Sequence, residues 1–505
     1  MPGFFVENFG CRATQADGAA LERQFEERGL SRASSAKNAG VVILNTCTVT
    51  SGADQDARAA IRRVRRQNPE ARIVVTGCYA QRAPDEIASL PGVDIVVGNS
   101  HKHQLAEIVG GVDPKGRSEG TLGRELPSFI PISVLSAGNP KPEARGPIFV
   151  SDIFAHTELV AAPVFDAANE RTRPNLKIQD GCDNRCSFCV IPYVRGQSRS
   201  LETERIVREV NTLVNAGYRE VVISGINLGR WGRDLESSST RVGTATPGRL
   251  GEHSSPATLS SREANLVDLI RTILSETSLE KLRISSVEPM DWSDELIELV
   301  ASSPRIAKHA HVPMQSGSDA VLRCMHRKYR PWHYREKIDK IRAAMPDAAI
   351  GADVMVGFPG ETEAEFEATR QMIEDLPFTY LHVFTYSARP GTPAAEMKNQ
   401  VPVHIARERN RILRELAAEK KLAFMRSFIG KAVEAITLNV VGSDEVGEFT
   451  EALTDNYLKL RLRGRHEANR WQMATVENVI NGALVGSPCA RKQELWRFSP
   501  EVRLT

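Results

Sequence analysis

Short apolar runs that alternate with helical patterns restrict the fold of this chain more than any other feature of its 505 residues. Near the start, Phe4–Asn8, Val41–Leu44, Ile73–Val75 and Ile95–Val97 have the pattern of strands. Turn residues flank these runs, as they flank buried parallel strands. We therefore predict an α/β fold that begins with a doubly wound parallel sheet in residues 1–109.

A second series of strand and helix patterns occupies residues 173–405. Its strand candidates are Asn175–Gln179, Val221–Ser224, Leu282–Ser285, Ala310–Pro313, Ile350–Val356 and Leu381–Thr385. Helical patterns separate them, so we predict a partial (β/α) barrel with its chemistry at the carboxyl ends of the strands. The weakly patterned residues 110–172 predict a linker. Residues 236–262, rich in Ser, Thr, Gly and Pro, predict a mobile insertion.

The last part of the chain has a different pattern. Arg407–Phe428 predicts a long charged helix in a connecting segment, 406–428. Short strand patterns follow at Ala432–Val440, Glu448–Leu453, Leu458–Arg463 and Ala474–Val479. We predict a small β-barrel in residues 429–490, of a kind that commonly binds oligonucleotides, and a tail in residues 491–505.

Cys182, Cys186 and Cys189 lie on one short loop with the spacing Cys-x3-Cys-x2-Cys. Three thiolates are one fewer than a closed tetrahedral metal site needs. A [4Fe–4S] cluster accepts three cysteines and keeps one iron open for a substrate or cofactor. A structural zinc loop or a chance match is the alternative. We favour the cluster because the aromatic Phe188 precedes the last cysteine and because further motifs match.

A second set of three cysteines is spread over the first predicted domain. Cys11, Cys47 and Cys78 each follow a predicted strand within two or three residues. Ligands of an open α/β sheet bind beyond the carboxyl ends of its strands, so we predict that these thiols converge and hold a second cluster. Three unrelated buried thiols are the alternative.

Several strings together resemble the methylthiotransferase family of radical S-adenosylmethionine enzymes. They are Asn45-Thr46-Cys47-Thr48-Val49-Thr50, Thr76-Gly77-Cys78, Cys182 through Gly196, Pro313-Met314-Gln315-Ser316-Gly317-Ser318 and Val356-Gly357-Phe358-Pro359-Gly360-Glu361-Thr362. The first string is similar to enzymes that methylthiolate N6-threonylcarbamoyladenosine at position 37 of tRNA. Isopentenyladenosine in tRNA and a ribosomal-protein aspartate are the alternative substrates. Arg12 departs from the family, which commonly has Lys there.

The resemblance implies two [4Fe–4S] clusters and S-adenosyl-L-methionine as cofactors, and a TRAM-like terminal barrel. Cys182, Cys186 and Cys189 would hold the cluster that cleaves S-adenosylmethionine to a radical, and the other three cysteines a cluster that carries the sulfur. A radical suits C2 of adenine, which has no leaving group. The implied cofactor-binding residues are Phe188, Ser224, Gly225, Asn227, Ser286, Glu288, Gln315 and Gly357. For Gly357 the expected role is a close approach to the adenine.

Basic residues in the predicted barrel suggest a nucleic-acid partner. Lys459, Arg461, Arg463 and Arg465 alternate, and period two places them on one face of a strand, where they would bind tRNA phosphates. A solvated strand face is the alternative. The strip favours RNA over a protein substrate. The alternative function is a non-catalytic regulator that holds an iron–sulfur cluster and binds RNA. It would not explain the motifs expected to bind the cofactor.

Composition adds limits on location and partners. The chain has no run of 18 apolar residues, so we expect no membrane span, and the N-terminus lacks a leader pattern. Eight cysteines are better explained by metal ligation or free thiols than by disulfides, and we expect a cytoplasmic protein. The family resemblance implies tRNA, S-adenosylmethionine, a sulfur donor and a reductant protein such as flavodoxin or ferredoxin as partners.

Overall fold

The computed structural model describes residues 3–111, 146–156, 159, 173–235, 264–445 and 447–489. The predicted insertion at 236–262 and the predicted tail lie outside the described residues, as does most of the predicted linker. Among the helices of these described ranges, none is both long and apolar enough to cross a bilayer.

The first sheet has five parallel strands in chain order. They are β1 (Phe4–Asn8), β2 (Val41–Thr46), β3 (Arg72–Gly77), β4 (Ile95–Gly98) and β5 (Ile148–Phe149). The helices are α1 (Arg12–Glu26), α2 (Ser51–Gln67), α3 (Cys78–Arg82), α4 (Pro84–Ala88) and α5 (Leu105–Gly111). Val42 and Leu44 pack with residues of α2, whereas Val41 and Ile43 pack with residues of α1 and α5. Because alternate side chains point to opposite faces, helices cover both sides, and the doubly wound prediction is confirmed.

Strand β5 comes from the segment predicted as a linker. Ile148 and Phe149 align in register with Val96 and Val97 of β4. The described residues 146–156 therefore extend the first sheet at its edge. The domain boundaries stay a prediction.

The central strands form two short sheets joined into one curved series. The first has the order β7-β6-β8-β9, with β6 (Asn175–Asp180), β7 (Arg199–Ser200), β8 (Glu220–Gly225) and β9 (Lys281–Ile284). The second has the order β10-β11-β12, with β10 (His309–His311), β11 (Ala349–Val356) and β12 (Tyr380–Thr385). A parallel bridge between Ser286 and His311 connects them. The prediction of a partial barrel is confirmed.

Helices surround this partial barrel and bury its outer face. They are α6 (Ile191–Arg195), α7 (Thr203–Asn215), α8 (Leu266–Glu276), α9 (Asp294–Ser302), α10 (Asp319–Cys324), α11 (Pro331–Ala344), α12 (Glu363–Asp375) and α13 (Pro393–Glu396). In α7, Ile206, Val210 and Leu213 form an apolar stripe at spacings of four and three, and all three belong to the central core. The outer helices therefore leave the carboxyl ends of the strands as the open face.

The last described part of the chain is a closed barrel, reached through helix α14 (Val403–Arg426). Its strands are β13 (Ala432–Asp444), β14 (Gly447–Thr454), β15 (Lys459–Arg463), β16 (Trp471–Ile480) and β17 (Ala483–Pro488), in the order β13-β14-β15-β17-β16. The small barrel is confirmed, although the sequence analysis missed β17. Leu413 of α14 packs in the central core and Met425 in the barrel core, so one helix belongs to both.

Candidate functional site

The carboxyl ends of the central strands surround a cavity of about 530 Å³. Cys182, Cys186 and Cys189 line this cavity, and Cys11 reaches it from the N-terminal region. Seven of the eight predicted cofactor-binding residues line it too: Phe188, Ser224, Gly225, Asn227, Ser286, Glu288 and Gln315. Residues predicted from distant motifs thus share one site at the open face of the partial barrel.

Backbone hydrogen bonds hold the cysteine loop in place. Cys182 N–H donates to Gly196 O at 3.1 Å, and Cys189 N–H donates to Cys186 O at 3.1 Å. Ser187 N–H donates to Met325 O, and its hydroxyl donates to Cys324 O at 2.7 Å. The loop is therefore bonded to itself and to the end of α10, which keeps its three thiols on the cavity wall.

The surroundings of these thiols fit an iron–sulfur cluster. Burial, and then the neighbouring Cys186, raises the pKa of Cys189 to about 12, and burial also raises the pKa of Cys182. Arg327 Nη1 lies 3.3 Å from Cys186 Sγ, and Asn227 Nδ2 lies 3.7 Å from Cys182 Sγ. Iron displaces the thiol proton on binding, and N–H donors stabilise the thiolates that result.

Polar atoms around the cavity are arranged to receive a ligand. Ser224 Oγ and Asn227 Oδ1 are buried, and neither has a hydrogen-bond partner within the described part of the chain. Buried polar atoms are normally bonded, so a ligand with donor groups fits here. Gln315 has φ of +61°, a backbone conformation rare for a residue with a side chain and commonest at functional sites.

Two of the predicted cofactor contacts have partners in the protein itself. Glu288 faces the cavity but is ion-paired with Arg327. Gly357 is absent from the cavity lining, and a Cβ there would lie 2.5 Å from Ala406 Cβ of α14. With φ of +76°, Gly357 meets a conformational and packing requirement of the loop before α12. Its contact with an adenine stays a prediction.

The other three cysteines lie at one edge of the first sheet. Cys11 follows β1 by three residues, whereas Cys47 directly follows β2 and Cys78 begins α3 directly after β3. Burial, and then the Cys78 and Cys11 thiols, raises the pKa of Cys47 to about 12, so the three thiols are electrostatic neighbours. Gly10 has φ of +102°, and a Cβ there would lie 2.6 Å from Cys47 Cβ. The β1 loop therefore passes directly over Cys47.

The two triads differ from a site for a single ion. Among the described residues, no group of three or more histidine, cysteine, aspartate or glutamate side chains has the geometry to hold one metal ion. A [4Fe–4S] cluster binds each cysteine to a different iron, so its ligands stand farther apart than those of one ion.

A buried charge network lies behind the second triad. Lys102 Nζ contacts Asp17 at 2.9 Å, and Arg195 contacts both Asp17 and Asp180 at 3.0 Å. Lys177 pairs with both carboxylates, at 2.7 Å from Asp180. Burial opposes ionisation of Asp17, but Lys102, Lys177 and Arg195 outweigh it and lower its pKa to about 2. Burial lowers the pKa of Lys102, so Arg195 is the more secure cation of this network.

The Arg195 guanidinium interacts with the thiols of the same triad. Although burial opposes its charge, Asp180 and then Cys78 and Asp17 raise the pKa of Arg195 well above its usual value. Asn99 adds a link, because its Nδ2 donates to Val194 O at 2.7 Å and lies 3.6 Å from Cys78 Sγ. The positive network suits the negative charge that three thiolates bring.

The predicted basic strip is only partly exposed. Lys459, Arg461 and Arg463 alternate on β15, and Arg465 lies beyond the strand end. Arg463 is paired with Asp444 at 2.8 Å, and the guanidinium of Arg461 lies 5.0 Å from the Phe449 ring centre. The basic residues alternate along β15 as predicted, whereas the contact of this strip with tRNA stays a prediction.

A second cavity, of about 630 Å³, lies between this strip, α14 and the central strands. The cations that line it are Arg173, Arg414, Lys421, Lys459 and Arg461, beside the one carboxylate of Glu451. Tyr380, His382 and Tyr457 line both cavities. The second cavity, the basic groove, therefore adjoins the cysteine-lined cavity.

An aromatic wall lies between the two cavities and was not predicted from the sequence. It consists of His309, Tyr380, His382 and Tyr457. The His309 ring centre lies 4.9 Å from that of Tyr457 and 5.8 Å from that of Tyr380. Tyr380 is 5.4 Å from His382 by the same measure. His309 begins β10 and Tyr380 begins β12, the two outer strands of the second central sheet, but Tyr457 comes from the barrel. His309, Tyr380 and Tyr457 each lie one residue before a predicted strand, which offered a weak signal, and no spacing motif marks them.

Two family profiles match the chain. "Uncharacterized protein family UPF0004" matches residues 3–98, which contain Cys11, Cys47 and Cys78. "Radical SAM superfamily" matches residues 176–373, which contain the other triad and all eight predicted cofactor-binding residues. Each profile therefore covers one cysteine triad.

Curated relatives cover almost the whole chain. The threonylcarbamoyladenosine tRNA methylthiotransferase MtaB of Bacillus subtilis is 34% identical, over 91% of this chain and 90% of its own. The tRNA-2-methylthio-N(6)-dimethylallyladenosine synthase of Novosphingobium aromaticivorans is 32% identical, over 86% of each chain. The radical S-adenosylmethionine methyltransferase TsrM of Kitasatospora setae has a similar fold, with a TM-score of 0.50 at 15% identity over 78% of this chain and 74% of its own.

Proposed function

Because the chain belongs to the methylthiotransferase family of radical S-adenosylmethionine enzymes, of the threonylcarbamoyladenosine tRNA methylthiotransferase type, we propose that it methylthiolates C2 of N6-threonylcarbamoyladenosine at position 37 of tRNA. The observation that carries this proposal is the shared cavity. Cys11 of one triad and all three cysteines of the other line it. Groups held by the two triads therefore face one substrate.

The residues of the chain bind and shield the reacting groups. When bound, the two [4Fe–4S] clusters and S-adenosylmethionine supply the electron, the carbon radical and the methylated sulfur that substitution at an unactivated aromatic carbon requires. Ser224 Oγ and Asn227 Oδ1 accept hydrogen bonds from the amino group of S-adenosylmethionine, which satisfies two buried atoms. Ser286, Glu288 and Gln315 face its remaining polar groups.

The basic groove receives the tRNA backbone. Four of its cations, Arg414, Lys421, Lys459 and Arg461, neutralise phosphates, whereas Arg173 is ion-paired with Glu220. The aromatic wall between the cavities offers rings on which an extruded base stacks. Lys459 and Arg461 contribute from the barrel strip, whereas Arg463 is already paired with Asp444. The target adenine thus passes from the groove to the cysteine-lined cavity.

The remaining partners follow from the chemistry. A cluster that donates an electron has to be reduced again, so a flavodoxin or ferredoxin is the expected reductant. A sulfur donor restores the sulfur that each product carries away. An enzyme that modifies tRNA works where tRNA matures, and we place it in the cytoplasm.

Mass spectrometry of tRNA nucleosides from a strain lacking this protein tests the function. The methylthio derivative of threonylcarbamoyladenosine should disappear, and its unmethylthiolated precursor should accumulate. Loss of the methylthio derivative of isopentenyladenosine instead would assign the second candidate substrate, which the 32% identity to a dimethylallyladenosine enzyme keeps open. Unchanged levels of both would exclude both tRNA substrates.

A further inference from the structure

Arg12 is a cation beside the reacting groups that neither triad uses. It begins helix α1 directly after Cys11 and lines the cysteine-lined cavity. Its side chain is exposed, and none of the ion pairs within the described residues involves it. A guanidinium facing a ligand cavity without a carboxylate partner is free to bind an anion.

The other titratable groups of the cavity wall are occupied or neutral. Arg327 is ion-paired with Glu288, and Asp353 lies 3.4 Å from His311 Nε2. Burial lowers the pKa of His309 and of His382, so neither ring is a permanent cation. Arg12 is therefore the permanent cation on this wall without a carboxylate partner, as far as the described residues extend.

Contacts from two other regions hold Arg12 in position. Asn175 Nδ2 of β6 donates to Arg12 O at 3.1 Å, and Arg12 Nη2 donates to the Tyr457 hydroxyl at 3.1 Å. Tyr457 has φ of +68°, an unfavourable conformation for a large side chain, and it presents its hydroxyl to Arg12 from the barrel. Strain of this kind persists where a side chain has a required position.

The chemistry of the target base identifies the anion. In adenine, C2 and the carbon that bears N6 are both bonded to N1, so the reacting carbon and the N6 substituent share one edge of the ring. A threonylcarbamoyl group on N6 ends in a carboxylate, whereas a dimethylallyl group has no charge. A base whose C2 faces the Cys11 triad therefore brings its N6 substituent close to Arg12.

We propose that Arg12 binds the carboxylate of the threonylcarbamoyl group and is the residue that selects this substrate over one with an uncharged N6 substituent. The inference rests on the proposed function and adds a specificity-determining residue to it. Tyr457 keeps the guanidinium on the cavity wall, and the five N–H donors of arginine leave enough to bind a carboxylate with two parallel hydrogen bonds.

Binding of two synthetic anticodon stem–loops tests this role. One carries N6-threonylcarbamoyladenosine at position 37, and the other carries the same group with its carboxylate replaced by a primary amide of nearly equal shape. The reconstituted protein, with S-adenosylmethionine present, should bind the carboxylate RNA about 10- to 100-fold more tightly, as expected for a charge-assisted hydrogen bond. Equal affinities would overturn the proposal without any variant.

Three variants locate the effect. Arg12→Gln should bring the ratio of the two affinities to about one, and Arg12→Lys should keep most of it because the charge remains. Arg461→Gln, a matched loss of a guanidinium in the basic groove, should weaken both RNAs alike and leave the ratio unchanged. If Arg12→Gln weakens both RNAs equally, Arg12 contacts the RNA backbone and the proposal is wrong.

The same RNAs separate this inference from the proposed function. If the carboxylate RNA is methylthiolated but both RNAs bind with equal affinity, Arg12 does not select the substrate. The proposed function would still hold. Methylthiolation of a dimethylallyladenosine RNA, with none of the carboxylate RNA, would overturn the function itself. Selective binding together with methylthiolation of the carboxylate RNA supports both.

Discussion

The two cysteine triads differ in how the chain builds them. Cys182, Cys186 and Cys189, the loop triad, lie on one loop, which hydrogen bonds fix to itself, to Gly196 and to the end of α10. The dispersed triad, Cys11, Cys47 and Cys78, takes one cysteine from each of three strand ends, so it exists only after the parallel sheet has formed. A local triad depends on its loop, whereas a dispersed triad depends on the register of a whole sheet.

The surroundings of the two triads also differ, in how far they reach through the protein. The loop triad has single donors from Arg327 and Asn227 and faces the cavity. In the dispersed triad, Cys47 and Cys78 are at most 5% exposed, and the charge network around Asp17 lies behind them. The dispersed triad thus has a support that reaches into the central region, because Lys177 and Arg195 belong to that region.

Loss of the loop triad should have the largest effect. Replacing Cys182, Cys186 and Cys189 by Ala should reduce the iron of the anaerobically reconstituted protein from about eight to about four atoms, since one of two four-iron clusters is lost. Cleavage of S-adenosylmethionine should stop. Iron analysis and chromatography of 5′-deoxyadenosine measure both. Full iron content in this variant would contradict the assignment of two independent sites.

Cys47→Ala should separate the two triads. The variant should still cleave S-adenosylmethionine under reduction, because the loop triad is intact, but it should form no methylthiolated nucleoside. The two products are measured in one reaction. Loss of cleavage, with the spectrum of the loop cluster unchanged, would show that the triads do not act separately.

Asp17→Asn tests whether the buried network supports the fold. Removing one partner leaves buried cations uncompensated, so the free energy of unfolding should fall by about 3–5 kcal/mol in a denaturant titration. Asp294→Asn is the matched control, because its pair with Lys340 is exposed, and it should change stability little. Equal effects of the two variants would mean that the buried network stabilises the fold no more than an exposed ion pair does.

The free energy of unfolding at low pH should show the contribution of the Asp17 carboxylate. The pKa of Asp17 is lowered from 3.8 to about 2, so its contribution to stability is complete above pH 4 and is lost as the pH falls toward 2. In wild-type protein the free energy of unfolding should decline over that window. In Asp17→Asn the decline should be smaller, and an identical decline in both would assign it to other groups.

The basic strip should give the smallest effect, and neither triad should depend on it. Changing Arg461, Arg463 and Arg465 to Ala should flatten the logarithmic salt dependence of tRNA binding by roughly two units, at about 0.9 per lost phosphate contact, because Arg463 is engaged by Asp444. Cleavage of S-adenosylmethionine without RNA should persist. Unchanged affinity would show that the strip is a solvated face.

Local patterns explain what could be predicted from the sequence. Apolar runs located the strands, and spacing located the loop triad, because both are short-range properties. The dispersed triad could be predicted only because each cysteine follows a recognisable strand. Arg12 and Tyr457 are 445 residues apart, and no pattern connects them before folding. Gly357 shows the opposite case, because a motif glycine proved to have a packing reason as well.

Helix α14 has a consequence for how the protein can be dissected. Leu413 lies in the core of the partial barrel and Met425 in the core of the terminal barrel, and Arg283 Nη1 donates across the junction to Asp455 O at 3.0 Å. These contacts hold the terminal barrel in a fixed position relative to the cysteine-lined cavity. A truncation before residue 403 would uncover apolar surface of the catalytic region, and any loss of tRNA binding would be confounded with damage to that region.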